Sequence, residues 1–134
     1  MPRPIDPAKP EFYVYRILAD GVPFYVGVGR SARASDRVRY VGYLMRREAE
    51  GKLVQWSLHT RVLASLIRAG CTLEVEYRMT GAAREDALAQ EGKEILELVS
   101  AGHVLANIQK NPQRPTLPEH VVDWVLARCG RAST

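Results

Sequence analysis

Hydrophobic and polar positions along this chain change period several times, and each change marks an element. From Glu11 to Leu18 the residues are aromatic and β-branched, as a strand requires. Asp20 and Gly21 supply a hairpin turn signal, and Pro23 to Val28 reads as the second strand, ended by Gly27 and Gly29. Helical spacing then takes over. Val38, Val41, Leu44 and Met45 form an apolar stripe in a helix expected from about Ala34 to Glu50, stopped near Gly51. Leu58, Val62, Leu66 and Ile67 form another in a helix from about Val54 to Arg68, with Gly70 as its stop. Period-two alternation returns from Thr72 to Met79 and predicts a third, half-buried strand.

A third helix is expected from about Ala82 to Ser100, ended by Gly102, then a short extended piece from His103 to Ile108. After a loop bearing Pro112, Pro115 and Pro118, Glu119 to Arg128 predicts a terminal helix packed on the same core. The four prolines of residues 1–10 read as an extended lead-in. These parts predict an α+β fold in one domain: a three-stranded antiparallel or mixed sheet flanked by helices over 11–109, with 110–134 as loop and added helix.

Composition changes this picture little. A chain of 134 residues with 46% hydrophobic and 25% charged residues suits a soluble globular domain. No apolar run approaches the ~20 residues that span a bilayer. Nor does the start carry an apolar secretory stretch, so a cytoplasmic address and no membrane partner are expected. Cys71 and Cys129 lie far apart in sequence and predict buried, reduced thiols, with no zinc site or thiol nucleophile. The net charge of +4 is mild, but Arg30, Arg33, Arg37, Arg39, Arg46 and Arg47 face only Asp36 in their stretch. Such a run is either a solvated helix face or a phosphate-contacting surface.

Three features bear on chemistry. In the third helix, at about 100° per residue, Ala87, Leu88, Ile95, Leu98 and Val99 share one face with Glu91 in its middle. Glu85, Asp86, Glu94 and Glu97 fall at its edge or outside. A carboxylate on an inward stripe loses hydration, so Glu91 needs a cation, an arginine partner or a helix end that reaches water. In the hairpin, Tyr15 and Tyr25 share a face if the loop is odd-numbered and centred on Asp20; a two-residue turn at Asp20 and Gly21 puts them on opposite faces. Between strand and helix, Gly27 and Gly29 leave room for a phosphate near the backbone.

The segments Tyr13-Val14-Tyr15 and Tyr25-Val26-Gly27 resemble the two tripeptides that name the GIY-YIG nucleases. Arg33 matches the arginine opening that family's first helix, Glu91 its metal-binding glutamate, and Leu105-Ala106-Asn107-Ile108 its closing motif. The resemblance runs from Phe12 to Ile108, with the elements in family order. It implies a metal-dependent endonuclease cutting nucleic-acid phosphodiesters, DNA expected and RNA open. One divalent cation, magnesium expected, would bind Glu91 and a phosphate oxygen. Arg33 would donate to the oxygens gaining charge, Tyr15 would be the base, and Tyr25 would orient the attack. A basic role for Tyr15 requires its pKa to be depressed from the ordinary ~10. Gly27, Arg30, Arg37, His59 and Asn107 would contact nucleic acid, and a protein partner or a homodimer would supply specificity.

Two departures support an alternative. Val28 stands where many members carry a lysine, and Arg37 where small members carry histidine, with His59 as a possible substitute. The alternative is a non-catalytic nucleic-acid-binding module that keeps the fold. A third class, a protein-interaction domain, would use Leu117 to Arg128.

Overall fold

The computed structural model describes residues 11–31 and 33–131; the proline-rich lead-in lies outside the described residues. Seven elements follow in order. They are β1 (Phe12–Ala19), β2 (Val22–Arg30), α1 (Arg33–Ala49), α2 (Leu58–Arg68), β3 (Leu73–Ala82), α3 (Arg84–Ser100) and α4 (Pro118–Arg128). The sheet has the order β2-β1-β3, and both pairings are antiparallel. This is the expected α+β architecture, with the mixed-sheet alternative removed.

β1 is central, so helices cover it on both faces, and its side chains sort by parity. Tyr13, Tyr15, Ile17 and Ala19 join one cluster with α1, α2 and α4 through Val41, Val62, Leu63 and Val125. Val14 joins a second with Val26, Ala87, Ile95, Leu98 and Leu105, beneath α3. Val121, Val122, Val125 and Leu126 of α4 are buried in the first cluster, so the apolar stripe of this helix is spent on the core. Among the described residues no helix is long and apolar enough to cross a membrane.

The hairpin resolves the question of the two tyrosines by an irregularity. Ala19 pairs with Val22 across a two-residue turn in which Asp20 (φ 48°) and Gly21 (φ 84°) both have positive φ. That is the turn whose twist matches antiparallel strands, and glycine adopts it without strain. Left alone, it would separate Tyr15 from Tyr25. However, the register shifts between Ile17, opposite Tyr25, and Leu18, opposite Pro23, leaving Phe24 as an extra residue in β2. Such a bulge reverses the parity of all that follows. Phe24 and Tyr25, although adjacent, both pack on the α1 side, and Tyr15 now shares a face with Tyr25.

Element ends differ from expectation where local bonds decide. β2 continues through Gly27 and Gly29 to Arg30, because β1 pairs with it over that length. α2 begins at Leu58 rather than Val54, because Ser57 and Thr60 form a capping box with bonds of 3.2 and 2.9 Å. The stretch from His103 to Ile108, expected as a short extended piece, forms no strand of its own. It lies along the outer edge of β2 through an Ala106 amide bond of 2.7 Å to the Phe24 carbonyl.

Candidate active site at the edge of the sheet

Tyr15 and Tyr25 stand on the same side of the hairpin with ring centroids 6.2 Å apart. Tyr15 is 0% exposed, and its ring lies across Gly27, its cross-strand partner. A Cβ at residue 27 would come within 2.6 Å of the Tyr15 Cζ and Oη. Tyr13 covers Gly29 in the same way. This corrects the expected role of Gly27: the space that its missing side chain leaves is filled by a tyrosine, not kept open for a phosphate.

Tyr13 sets the entry to α1. Its hydroxyl donates to the Ser31 carbonyl at 2.7 Å and accepts from the Ala34 amide at 3.2 Å. Binding one of the free amides of the first turn fixes where α1 starts, and with it the arginines. Arg33 is exposed at that start. One turn on, the Arg37 guanidinium lies 5.4 Å from the Tyr25 ring centroid. His59, from the first turn of α2, packs on the same ring at 4.2 Å between centroids. Tyr25 is thus held between an arginine of α1 and a histidine of α2, a contact no sequence spacing announced. Arg30 instead places its guanidinium 4.9 Å from the Phe12 ring, at the exposed end of β2.

Several polar atoms here are buried and lack hydrogen-bond partners: the Tyr15 hydroxyl, the Arg37 Nε and both His59 ring nitrogens. Tyr15 lies close to Arg37 and Tyr25, and both act on its hydroxyl. Buried polar groups ordinarily find partners, so these atoms offer hydrogen-bonding capacity that no protein group takes up. Burial, aided by the charge of Arg37, lowers the His59 pKa to about 3, so the ring is neutral. Burial also raises the pKa of Tyr15, with Tyr25 pushing in the same direction. That shift runs against the depression that a basic Tyr15 requires, and the residue is fully buried. Tyr25 is half-buried and is the phenol at the surface. Burial raises its pKa most; Arg37 and Arg33 lower it, and Glu91 raises it. Groups from α1 and α3 therefore act on one phenol.

Glu91 is mostly inward, with its side chain 17% exposed, and its Oε1 lies 2.9 Å from the Lys110 Nζ. The same ammonium donates to the Leu88 carbonyl at 2.9 Å. Glu94, expected at the edge of the helix face, is the deeply buried acid, 1% exposed. Its Oε1 receives Arg16 Nη2 at 2.7 Å and Arg78 Nε at 3.0 Å, and Gln90 donates to Oε2 at 3.1 Å. The reason is that Arg16 and Arg78 rise from the α3 side of β1 and β3 and supply the compensation a buried charge needs. The clue was Arg16, two positions along from Val14 and so on the same face of the strand.

Asn107 is corrected as well. Its Oδ1 accepts from the Val26 amide at 3.0 Å and its Nδ2 donates to the Val26 carbonyl at 2.7 Å. With both ends so engaged and the residue buried, Asn107 completes the edge of β2 and is not offered to nucleic acid. The thiols, far apart in sequence, meet because α4 ends beside the exit from α2. One donor atom each of Cys71, Cys129 and Asp20 lies within 4.8 Å of the others, although Asp20 is already bound to the Thr72 amide and Arg131.

Neither protein-family models, nor characterised proteins, nor solved structures yield a match to this chain.

Proposed function

We propose that this chain is a metal-dependent endonuclease of the GIY-YIG type, cutting nucleic-acid phosphodiester bonds, DNA foremost. The observation that carries this reading is the Tyr25 ring, packed against Arg37 at 5.4 Å and within the electrostatic reach of Arg33 and Glu91, beside buried polar atoms without partners. Two guanidiniums suit the non-bridging oxygens of a phosphate, and one carboxylate suits a hard cation.

The residues fit a divalent ion. The carboxylate of Glu91 and the carbonyl of Leu88 already face one cation, the ammonium of Lys110. That lysine is 39% exposed on a flexible stem, so a stronger cation can replace it. Magnesium keeps most of its waters and needs few protein ligands beside substrate phosphate. Glu91 would hold the ion, which when bound supplies Lewis-acid stabilisation of the phosphate charge.

The remaining work falls to side chains. Arg33, exposed at the start of α1, grips the phosphate oxygens as negative charge builds. Arg37 and His59 fix the plane of the Tyr25 ring. Tyr25, neutral because its pKa is raised, directs its hydroxyl hydrogen to the phosphate or to the attacking water. Tyr15 supports Tyr25 from beneath and does not touch substrate.

The contact between Lys110 and Glu91 also favours a second reading, a non-catalytic nucleic-acid-binding module in which the lysine keeps the place of the ion. One experiment separates the two. Single-stranded, supercoiled and branched DNA are incubated with wild type, Glu91→Ala and Arg33→Ala, with and without magnesium. The nuclease reading expects magnesium-dependent cutting that both variants lose while still folded. Cutting that persists equally in Glu91→Ala, or binding without any cutting, overturns it.

A further inference from the structure

We propose that the outer flank of α1 is a stacking platform for unpaired nucleotides, so that the substrate of the site is a single strand rather than closed duplex. This rests on the phosphodiester reading above and adds the form of nucleic acid. Tyr40 and Tyr43 are 52% and 44% exposed, although tyrosine carries a large apolar ring. Their rings lie 6.0 Å apart and 28° from parallel. The Arg47 guanidinium lies 5.7 Å from the Tyr43 centroid and extends the row by one turn.

The row continues the candidate site. Arg33, Asp36, Arg37 and Tyr40 line one open depression, so Tyr40 belongs both to the phosphate-facing arginines and to the aromatic pair. Steps of three and four residues keep Arg33, Arg37, Tyr40, Tyr43 and Arg47 along one side of the helix. Arg39 and Arg46 flank it, and Asp36 is engaged by Arg39 at 3.7 Å. Positive charge beside exposed ring faces complements a phosphate backbone whose bases are free to stack.

Duplex hides the faces of its bases in its own stack, so aromatic planes gain little from it. The 6.0 Å between the tyrosines also exceeds the ~3.4 Å rise between stacked bases, and suits an extended strand. A strand entering along α1 would lay successive bases on Tyr43 and Tyr40 and bring the next phosphate to Arg37 and Arg33.

The test is binding in chelator, where no cutting occurs. Fluorescence anisotropy compares a labelled single-stranded oligonucleotide with the same sequence as duplex, at low salt. Wild type is expected to prefer the single strand. Tyr40→Ala/Tyr43→Ala should weaken single-strand binding roughly ten- to a hundredfold and leave duplex binding and thermal stability unchanged. Tyr40→Phe/Tyr43→Phe, which keeps the rings, should restore it. Equal affinity for both forms, or a double alanine variant that binds single strand like wild type, overturns the platform alone. Absence of binding to either form overturns the phosphodiester reading with it.

Discussion

Lys110 places its ammonium 2.9 Å from Glu91 Oε1, holding in an ion pair the one carboxylate that a catalytic cation would need. The lysine of the pair is 39% exposed, and pairs that reach water contribute only about 0–1 kcal/mol. Lys110→Met should therefore tighten magnesium binding up to about fivefold, with little change in melting temperature. Calorimetric titration with magnesium reads this directly. Unchanged or weaker affinity would mean that the lysine does not compete for the site.

Glu91 and Glu94, three residues apart, should separate function from stability. Glu94→Gln leaves Arg16 buried without its charge partner. Because Arg78 is partly exposed, the cost should be about 3 kcal/mol, the low end for breaking a buried pair. Glu91→Gln should cost less than about 1 kcal/mol and abolish magnesium-dependent cutting. Urea denaturation of both variants beside the cleavage assay checks the contrast.

Gly27→Ala sets a methyl group 2.6 Å from the Tyr15 ring, which is wedged in the core and cannot move freely. Overpacking of this kind costs about 1–3 kcal/mol. Because the clash is with one side chain, combining it with Tyr15→Leu should cost less than the two changes separately. Strict additivity in denaturation would place the strain elsewhere.

Acid should act partly through His59. Its pKa is lowered to about 3 from an ordinary 6.5, so in that interval the unfolded chain holds a proton that the folded chain refuses. Stability contributed by the neutral ring is therefore complete above about pH 6.5 and falls as the pH drops toward 3. His59→Gln should flatten the melting temperature against pH across this window, relative to wild type. Parallel curves would show that the ring is free to take up a proton in the folded protein.

Asn107→Ala removes both bonds to Val26 and leaves a buried amide without a partner. A loss of about 1–3 kcal/mol is expected, with faster hydrogen exchange at Val26 as the local signature. Weakened nucleic-acid binding in a fully folded variant would restore the role first expected of this asparagine.

Strands and helices were legible because each pattern had one period and one buried face. Alternation from Thr72 to Met79 and the stripe through Val62 and Leu66 left no competing arrangement. The site was less legible because its contacts cross elements. Phe24 and Tyr25 are both aromatic, so either parity of β2 satisfies the pattern, and only packing against the helices selects the bulge. Glu94 was misjudged because its cations come from two strands distant in sequence. His59 could be named but not placed, since its contact with Tyr25 depends on how α2 docks. Glu91 could be read as a mostly inward acid from one helix alone, because a carboxylate amid apolar neighbours is visible without any tertiary information.

The extra residue at Phe24 makes the hairpin countable. Inserting one residue between Leu18 and Tyr25 would swing the Tyr25 phenol beneath α3, whereas inserting two would return it to His59 and Arg37. Tolerated changes of length in this loop should come in twos, so a library of loop insertions should keep or lose the site in alternation.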